Sequence, residues 1–430
     1  MLFEDITLID DRFQVRTHQY LQTEGCRIAY IGPDCPPDYR GERYNGHNKA
    51  LVPGFFNLHC HLPDTVLRGF GEGLPLHRWL QEKMFPFEAR MTGEDCYWST
   101  LLGVCELIRG GAVSVTDMFL HLDDVERAVR ESGLKANLTY GLTAAPDGRP
   151  FEEMDGVRET LALRDHLART GDGRIRADMG LHAEYTATEP LMRQVAELCR
   201  SEGFRLHLHL SETRKEQEEC RQRHGGLTPA ALFERCGLFD TPVTAAHCVW
   251  LEGEDFDILR DRGVTVAHNP SSNLKLGSGI APVKKMLDKG IRVAIGTDSA
   301  ASNNNLNMLE EMNLASMLQK GLTGDPTCLG PSEILEMTCR TGALAQGRED
   351  CGAIKVGNRA DLLVFDLDKP HLQPVHDLLS NLLYAASASD ICLSMIDGDV
   401  VYKDGQLTHL DEEKIIAEAN RRTARILSEL

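Results

Sequence analysis

Residues 55–61 read Phe-Phe-Asn-Leu-His-Cys-His, directly after Pro53-Gly54. The apolar lead-in is that of a short buried strand, and side chains two apart on a strand point to the same side. His59 and His61 therefore converge, while Cys60 between them points away. Neutral imidazole is a good ligand for zinc and other borderline metals. On this stretch alone the pair reads equally well as half of a metal site or as two packed, hydrogen-bonded histidines.

Outward from this stretch, short apolar runs alternate with longer helical segments from Gly54 to about Leu344, the pattern of βα units around a parallel sheet. The runs are Phe55–His59, Val113–Met118, Ala136–Leu142, Ile175–Ala183, Phe204–Leu210, Pro242–Cys248, Val264–His268 and Arg292–Thr297. Eight such strands predict an α/β fold of the (β/α)8 (TIM) barrel type rather than an open sheet. Between them Glu189–Glu202 reads as a helix with Gly203 as its stop, and Asn307–Gln319 and Ser332–Leu344 follow as helices. Before the barrel lie the strand-like pieces Asp5–Asp10 and Cys26–Ile31 and a loop from Gly32 to Asn48. After it come Asp361–Asp366 and Ser394–Lys403, the latter turning at Asp404-Gly405. The two ends are expected to pair, so that 1–52 and 351–410 form a small β-sandwich beside a barrel over 53–350. An amphipathic helix capped by Asp411 closes the chain over 411–430.

At 430 residues the chain suits a barrel with an appended domain better than one ordinary core. A net charge of −19 argues against nucleic acid or an anionic membrane as the main partner. No apolar run approaches the length of a bilayer span. The 13 cysteines show no CxxC spacing, and the start Met1-Leu-Phe-Glu-Asp lacks a basic, then apolar, leader, so a reduced, cytoplasmic protein is expected.

Functional residues of such barrels gather at the C-terminal ends of the strands. Nearly every strand here ends in an ionisable group: His59 and His61, then Asp117, His182, His209, His247, His268 and Asp298. Buried His or Asp is costly unless paired or bound to a metal, and for His209 and Asp298 the metal reading leads. His207, one layer deeper than His209, reads as a hydrogen-bonded interior residue. Asp117 reads as an acceptor for a neighbouring loop or a histidine N–H. His268 fits either a structural or a substrate-facing role.

With these residues in place the chain resembles the amidohydrolase superfamily, and within it the bacterial 5-methylthioadenosine/S-adenosylhomocysteine deaminases. The resemblance spans almost the whole chain. It is carried by Pro-Gly-Phe-Phe-Asn-Leu-His-Cys-His (53–61), Leu-His-Leu-Ser-Glu-Thr (208–213), Ala-Ala-His-Cys (245–248), His-Asn-Pro-Ser-Ser-Asn-Leu-Lys-Leu-Gly-Ser-Gly (268–279) and Gly-Thr-Asp-Ser-Ala-Ala-Ser-Asn-Asn (296–304). It implies that His59, His61, His209 and Asp298 hold one divalent ion, usually zinc, with Fe2+ or Mn2+ as alternatives. It also implies that Glu212, His247 and Asp298 carry catalysis, the last two by deprotonating water and Glu212 by moving a proton to the ring nitrogen beside the attacked carbon.

Glu88, His182, Arg149 and Trp79 are the substrate contacts this resemblance implies. Glu88 matches a carboxylate that accepts from two ribose hydroxyls, and His182 a histidine that touches the purine. Of two arginines that hold the amino acid tail of S-adenosylhomocysteine in relatives, Tyr140 stands at the first position and only Arg149 matches the second. The expected substrate is therefore adenosine, 5'-deoxyadenosine or methylthioadenosine before S-adenosylhomocysteine, and the expected assembly a homo-oligomer. Glu184, in His182-Ala183-Glu184-Tyr185, departs from the family pattern. It reads either as a salt-bridged residue or as one recognising an amino group on guanine, a pterin or a triazine, the rival substrates. A non-catalytic barrel used for assembly is the remote reading.

Overall fold

A computed structural model describes all 430 residues, Met1–Leu430. The chain opens with five strands, β1 (Leu2–Ile9), β2 (Val15–Glu24), β3 (Arg27–Gly32), β4 (Arg43–Asn45) and β5 (Lys49–Pro53). Nine more follow, interleaved with helices: β6 (Phe55–Cys60), β7 (Ala112–Phe119), β8 (Lys135–Tyr140), β9 (Ile175–Ala177), β10 (Met179–Leu181), β11 (Leu206–Leu210), β12 (Val243–His247), β13 (Thr265–His268) and β14 (Arg292–Ile295). The last four are β15 (Leu362–Asp366), β16 (Ile391–Ile396), β17 (Asp399–Lys403) and β18 (Gln406–Leu407).

The central strands β6–β14 are parallel throughout and form a four-stranded sheet, β6-β7-β8-β9, and a five-stranded one, β10-β11-β12-β13-β14. Most of their residues are buried, including every residue of β6, β7, β11, β12 and β13. That is why they appear in the sequence as unbroken apolar runs rather than as alternations. Asp178 alone separates β9 from β10, so one stretch of chain runs from the first sheet into the second. Across that seam Asp178 N donates to Leu138 O (3.0 Å) and His182 N to Leu142 O (2.9 Å). At the opposite edges Asp298 N donates to His59 O at 2.9 Å. A Cβ at Gly296 would lie 2.9 Å from the His59 backbone nitrogen, so this close approach needs glycine.

The remaining strands make one nine-stranded sheet drawn from both ends of the chain, in the order β18-β17-β16-β15-β5-β1-β2-β3, with β4 on β1. The join is β15 antiparallel to β5, from Leu362 opposite Pro53 to Asp366 opposite Lys49. One face covers a core of its own that includes Phe3, Ile6, Leu51, Leu362 and Leu393. Two features differ from the sequence expectation. β2 was not foreseen, because only two of its ten residues are buried and it carries no apolar alternation. Ser394–Lys403 is not one strand but parts of two, turned at Asp397-Gly398, where both residues have positive φ.

Helix ends follow local chemistry. Thr188 caps Glu189–Glu202 by accepting from Leu191 N, and Gly203 ends it in the left-handed conformation. The final helix, Glu412–Glu429, is capped by Asp411, which accepts from Lys414 N. No helix is long and apolar enough to cross a membrane.

Candidate active site

The C-terminal ends of the parallel strands bring five side chains to one point. The ligating atoms of His59, His209 and His247 lie within 4.8 Å of one another, as do those of His59, His61 and Asp298. Oδ1 of Asp298 is 3.3 Å from His59 Nε2 and 3.4 Å from His61 Nε2, and the Nε2 atoms of His61 and His209 are 3.3 Å apart.

The outward ring nitrogens fix this orientation. His61 Nδ1 donates to Met118 O (2.6 Å) and His209 Nδ1 to His182 O (2.6 Å). A carbonyl only accepts, so the proton sits on Nδ1 in both rings, and the Nε2 lone pairs face inward. His59 Nδ1 is 2.8 Å from Nε2 of His207, which lies behind it as an interior hydrogen-bonded residue, while His59 Nε2 is buried and makes no hydrogen bond. Burial lowers the His59 pKa to about 4 and holds His209 well below its ordinary value, so these rings are neutral at pH 7. An inward Nε2 without a partner, neutral rings and a carboxylate at the centre are the donor set that a divalent ion requires.

Asp298 is held on both oxygens. Oδ2 accepts from Ser272 Oγ (2.6 Å) and Ser302 Oγ (2.9 Å), and Oδ1 from Ser299 N (2.8 Å). Burial works to raise its pKa, but His59, His247 and His61 together hold it well below the usual carboxylate range. Asp298 and His247 both have positive φ, 60° and 73°, a strained backbone of the kind that gathers at functional positions.

Glu212 follows β11. Its Oε1 accepts from Ser278 Oγ at 3.1 Å, Oε2 is 3.9 Å from His247 Nε2, and burial pushes the carboxyl up. His247 Nδ1 lies 2.8 Å from Asn273 Oδ1, which turns Nε2 toward Glu212. Glu216 braces the Glu212 loop: its two carboxylate oxygens accept from the backbone N–H groups of Ser211 (2.8 Å) and Glu212 (2.7 Å).

These groups open into a cavity of about 450 Å3, lined in part by Asp64, Leu76, Trp79, Met84 and Glu88, with a π-helical turn at Leu80–Met84. Trp79, Glu88 and His182 line it. Trp79 Nε1 donates to Phe70 O at 3.3 Å, and His182 Nδ1 is 3.0 Å from Thr186 Oγ. Arg149 does not reach this cavity. It lines an adjoining groove with Tyr140, and its guanidinium is bonded to Asp147 (2.7 Å) and Asp155 (3.2 Å), which leaves it committed.

Glu184 is salt-bridged to Arg223 (2.6 Å) and hydrogen-bonded to His224 (3.1 Å), outside the cavity lining, so the ring-recognition reading of this residue falls. Asp117 accepts from Leu62 N at 2.6 Å, the loop-acceptor role expected of it. His268 is buried, is not among the residues that line the cavity, and has neither ring nitrogen bonded. Ser272, Ser302, Ser278 and Glu216 are site residues that the sequence does not single out, although the three serines stand inside the quoted motifs. Thr213-Arg-Lys-Glu216 is itself a capping-box signature, with Thr213 accepting from Glu216 N.

The amidohydrolase family pattern matches residues 50–401. The chain belongs to the amidohydrolase family. Among its relatives, the 5-methylthioadenosine/S-adenosylhomocysteine deaminase of Dictyoglomus thermophilum is 44% identical over 383 residues, 89% of each chain. The 5'-deoxyadenosine deaminase of Methanothermobacter thermautotrophicus is 39% identical over 404 residues, covering 94% of this amidohydrolase and 93% of that protein. In three dimensions an adenosine deaminase from Xanthomonas campestris with bound zinc superposes with a TM-score of 0.94 at 29% identity, over 99% of this chain and 98% of that one.

Proposed function

We propose that this amidohydrolase is a hydrolytic deaminase of adenosine-type nucleosides that releases the 6-amino group as ammonia and leaves an inosine-type product. One observation carries the reading: His59, His61, His209 and Asp298 converge on one point of a cavity that Glu212, His247 and Glu88 also border or face. Relatives of near full-length coverage named for the same chemistry support it. Adenosine, 5'-deoxyadenosine and 5'-methylthioadenosine are the favoured substrates. S-adenosylhomocysteine is disfavoured, since Arg149 is already neutralised by Asp147 and Asp155. Guanine, pterins and triazines lost their main support with Glu184.

The four ligands would hold one divalent ion, zinc before Fe2+ or Mn2+, and such an ion lowers the pKa of water toward about 7. Asp298 and His247 Nε2 take the proton of the attacking water. Glu212, whose carboxyl burial pushes up, delivers a proton to the ring nitrogen beside the carbon under attack. Addition at that carbon moves an electron pair onto the protonated ring nitrogen. The proton taken by Asp298 and His247 then passes to the 6-amino group, the C–N bond breaks, and ammonia leaves as the added hydroxyl gives up its proton and becomes the carbonyl. Ser278 fixes the Glu212 carboxyl for this transfer.

In the same reading the two parallel sheets, linked at both seams, are one closed (β/α)8 barrel over about 53–350. The terminal sheet, folded over its own core, is the β-sandwich of 1–52 and 351–410. The 13 unpaired cysteine thiols support a reducing, cytoplasmic setting.

The test is ammonia release and the fall of the adenine absorbance band, measured for metal-replete protein against adenine nucleosides, free purines and pterins. Adenosine-type compounds should turn over, and Glu212→Gln should abolish the signal. Turnover of free bases with inert ribosides would overturn the substrate.

A further inference from the structure

Glu88 reaches the cavity from the short helix Phe85–Glu88, and the contacts that hold this helix come from residues more than 300 positions away. Arg90 N donates to Phe87 O (3.0 Å) rather than to Pro86 O, four residues back, so the Pro86 carbonyl is left outside the helix's own ladder. The Arg90 guanidinium takes it. Its Nη1 donates to Pro86 O at 2.7 Å, and its Nε donates to Glu429 O at 2.9 Å. One cation thus joins carbonyls at the ends of two helices, Phe85–Glu88 and the final Glu412–Glu429, where positive charge is favoured. The final helix holds the other side of Arg90 as well. Arg425 Nη2 donates to Arg90 O (3.4 Å) and to Asp95 Oδ2 (2.6 Å), while its Nη1 is paired with Glu429 at 2.8 Å. Asp95, 1% exposed, also meets Arg422 Nη1 (3.2 Å) and Thr92 N (2.8 Å), the latter in the capping box that starts the helix Gly93–Arg109. Ile426, between these contacts, is buried in the main core and seats the helix. The backbone is therefore held at 86 and at 90, two residues before and two after Glu88, by groups of 425–429.

Resting on the nucleoside reading, in which Glu88 touches the substrate, we infer that Arg90 and Arg425 are positioning residues through which the final helix sets where the Glu88 carboxyl enters the cavity. Neither arginine lines that cavity, so neither meets the substrate itself. Arg90 acts on the Pro86 carbonyl, and Arg425 on the carbonyl of Arg90. Two caps that only stabilise the fold would make the same hydrogen bonds but leave substrate binding unchanged, and that difference is measurable.

The experiment is a double-mutant cycle on kcat and KM for adenosine, run on wild type, Arg90→Ala, Glu88→Gln and the double variant, with melting temperature and metal content confirming the fold. Arg90→Ala should raise KM about tenfold and leave kcat within about threefold, since a binding contact is displaced and the reacting groups are not. On the Glu88→Gln background the same change should move KM by less than about twofold, because misplacing a contact already disabled costs little more. Arg90→Lys, which keeps the charge but not the forked geometry, should fall between wild type and Arg90→Ala. Arg425→Ala, taken through the same cycle, carries the test if Arg90→Ala does not fold. A wild-type KM with a lowered melting temperature, or equal rises in KM on both backgrounds, would overturn the inference and leave the arginines as caps. Should adenosine be inert with wild type, the deaminase reading fails instead. Hydrogen exchange then decides the positioning: the amides of 85–91 should exchange about tenfold or more faster in Arg90→Ala and Arg425→Ala than in wild type, with those of β6–β14 unchanged. Equal protection of 85–91 in all three proteins would overturn it.

Discussion

At the scale of single residues, the site is built by what each ring does with its outer nitrogen. His61 and His209 each spend Nδ1 on a backbone carbonyl, which decides the tautomer before any ligand arrives. The serines do the same for Asp298. Ser272→Ala removes the shorter of the two hydroxyl bonds to Oδ2 and should weaken metal retention about 10-fold or more, read by competition with a chelator. Unchanged retention would mean that Ser302 alone orients the carboxylate.

His268 offers a separate test. Burial lowers its pKa to about 3, so the unfolded chain takes up a proton near pH 6.5 that the folded chain refuses. The stability this neutral histidine contributes is present above about pH 6.5 and is lost as the pH falls toward 3. The gap in melting temperature between wild type and His268→Gln should therefore narrow on acidification from neutrality. A constant or widening gap would contradict the burial argument.

The residues that converge at the strand ends were legible from the sequence because they close the apolar runs and two of them alternate. Glu216 and the serines were not: the motifs that hold them mark a helix start and a loop, but not which carboxylate or backbone N–H group each side chain meets. The expectation for Arg149 failed for a related reason: its neighbours Asp147 and Asp155 were visible, but not that both fold onto it.

At the scale of elements, the loop after β11 shows how a helix start becomes part of a site. Glu216 accepts the N–H groups of Ser211 and Glu212 and so sets where the Glu212 side chain departs. Glu216→Ala leaves two buried donors unpaired and should cost about 1–3 kcal/mol for each. The expected signature is a lowered melting temperature together with a lower kcat, and a kcat matching wild type would separate the brace from catalysis. Buried parallel strands were readable as apolar runs, and each run quoted from the sequence overlaps an observed strand. What the runs did not reveal is the break at Asp178, where one expected strand becomes β9 and β10, each pairing with a different neighbour. Exposed β2 left no such trace, because a strand that buries little has no pattern to read.

At the scale of the whole molecule, a buried ion-pair cluster ties the parallel strands to the terminal sheet. Lys135, at the start of β8 and 2% exposed, is paired with Asp361 beside β15 and with Asp397 at the turn before β17, the latter at 2.9 Å. Lys135→Met would leave the buried Asp361 without its cation, while Asp397 keeps Arg359 at 3.3 Å, and should cost about 3–5 kcal/mol, read as a lower urea midpoint of unfolding. An unchanged midpoint would show that apolar packing alone joins the two parts. The sequence foretold that both ends of the chain pair with each other, but not this lysine, which reads locally as the polar start of a strand.

The site is likewise a property of the whole chain, since residues 59, 61, 209 and 298 meet only when the strands take their places. The most direct measurement is metal content by mass spectrometry of purified wild type, His209→Ala and Asp298→Ala, each checked for a native melting transition. One divalent ion per wild-type chain, lost in both variants along with ammonia release, is the expected result. Folded variants that keep a full equivalent of metal would contradict the assignment of these four side chains to a single ion.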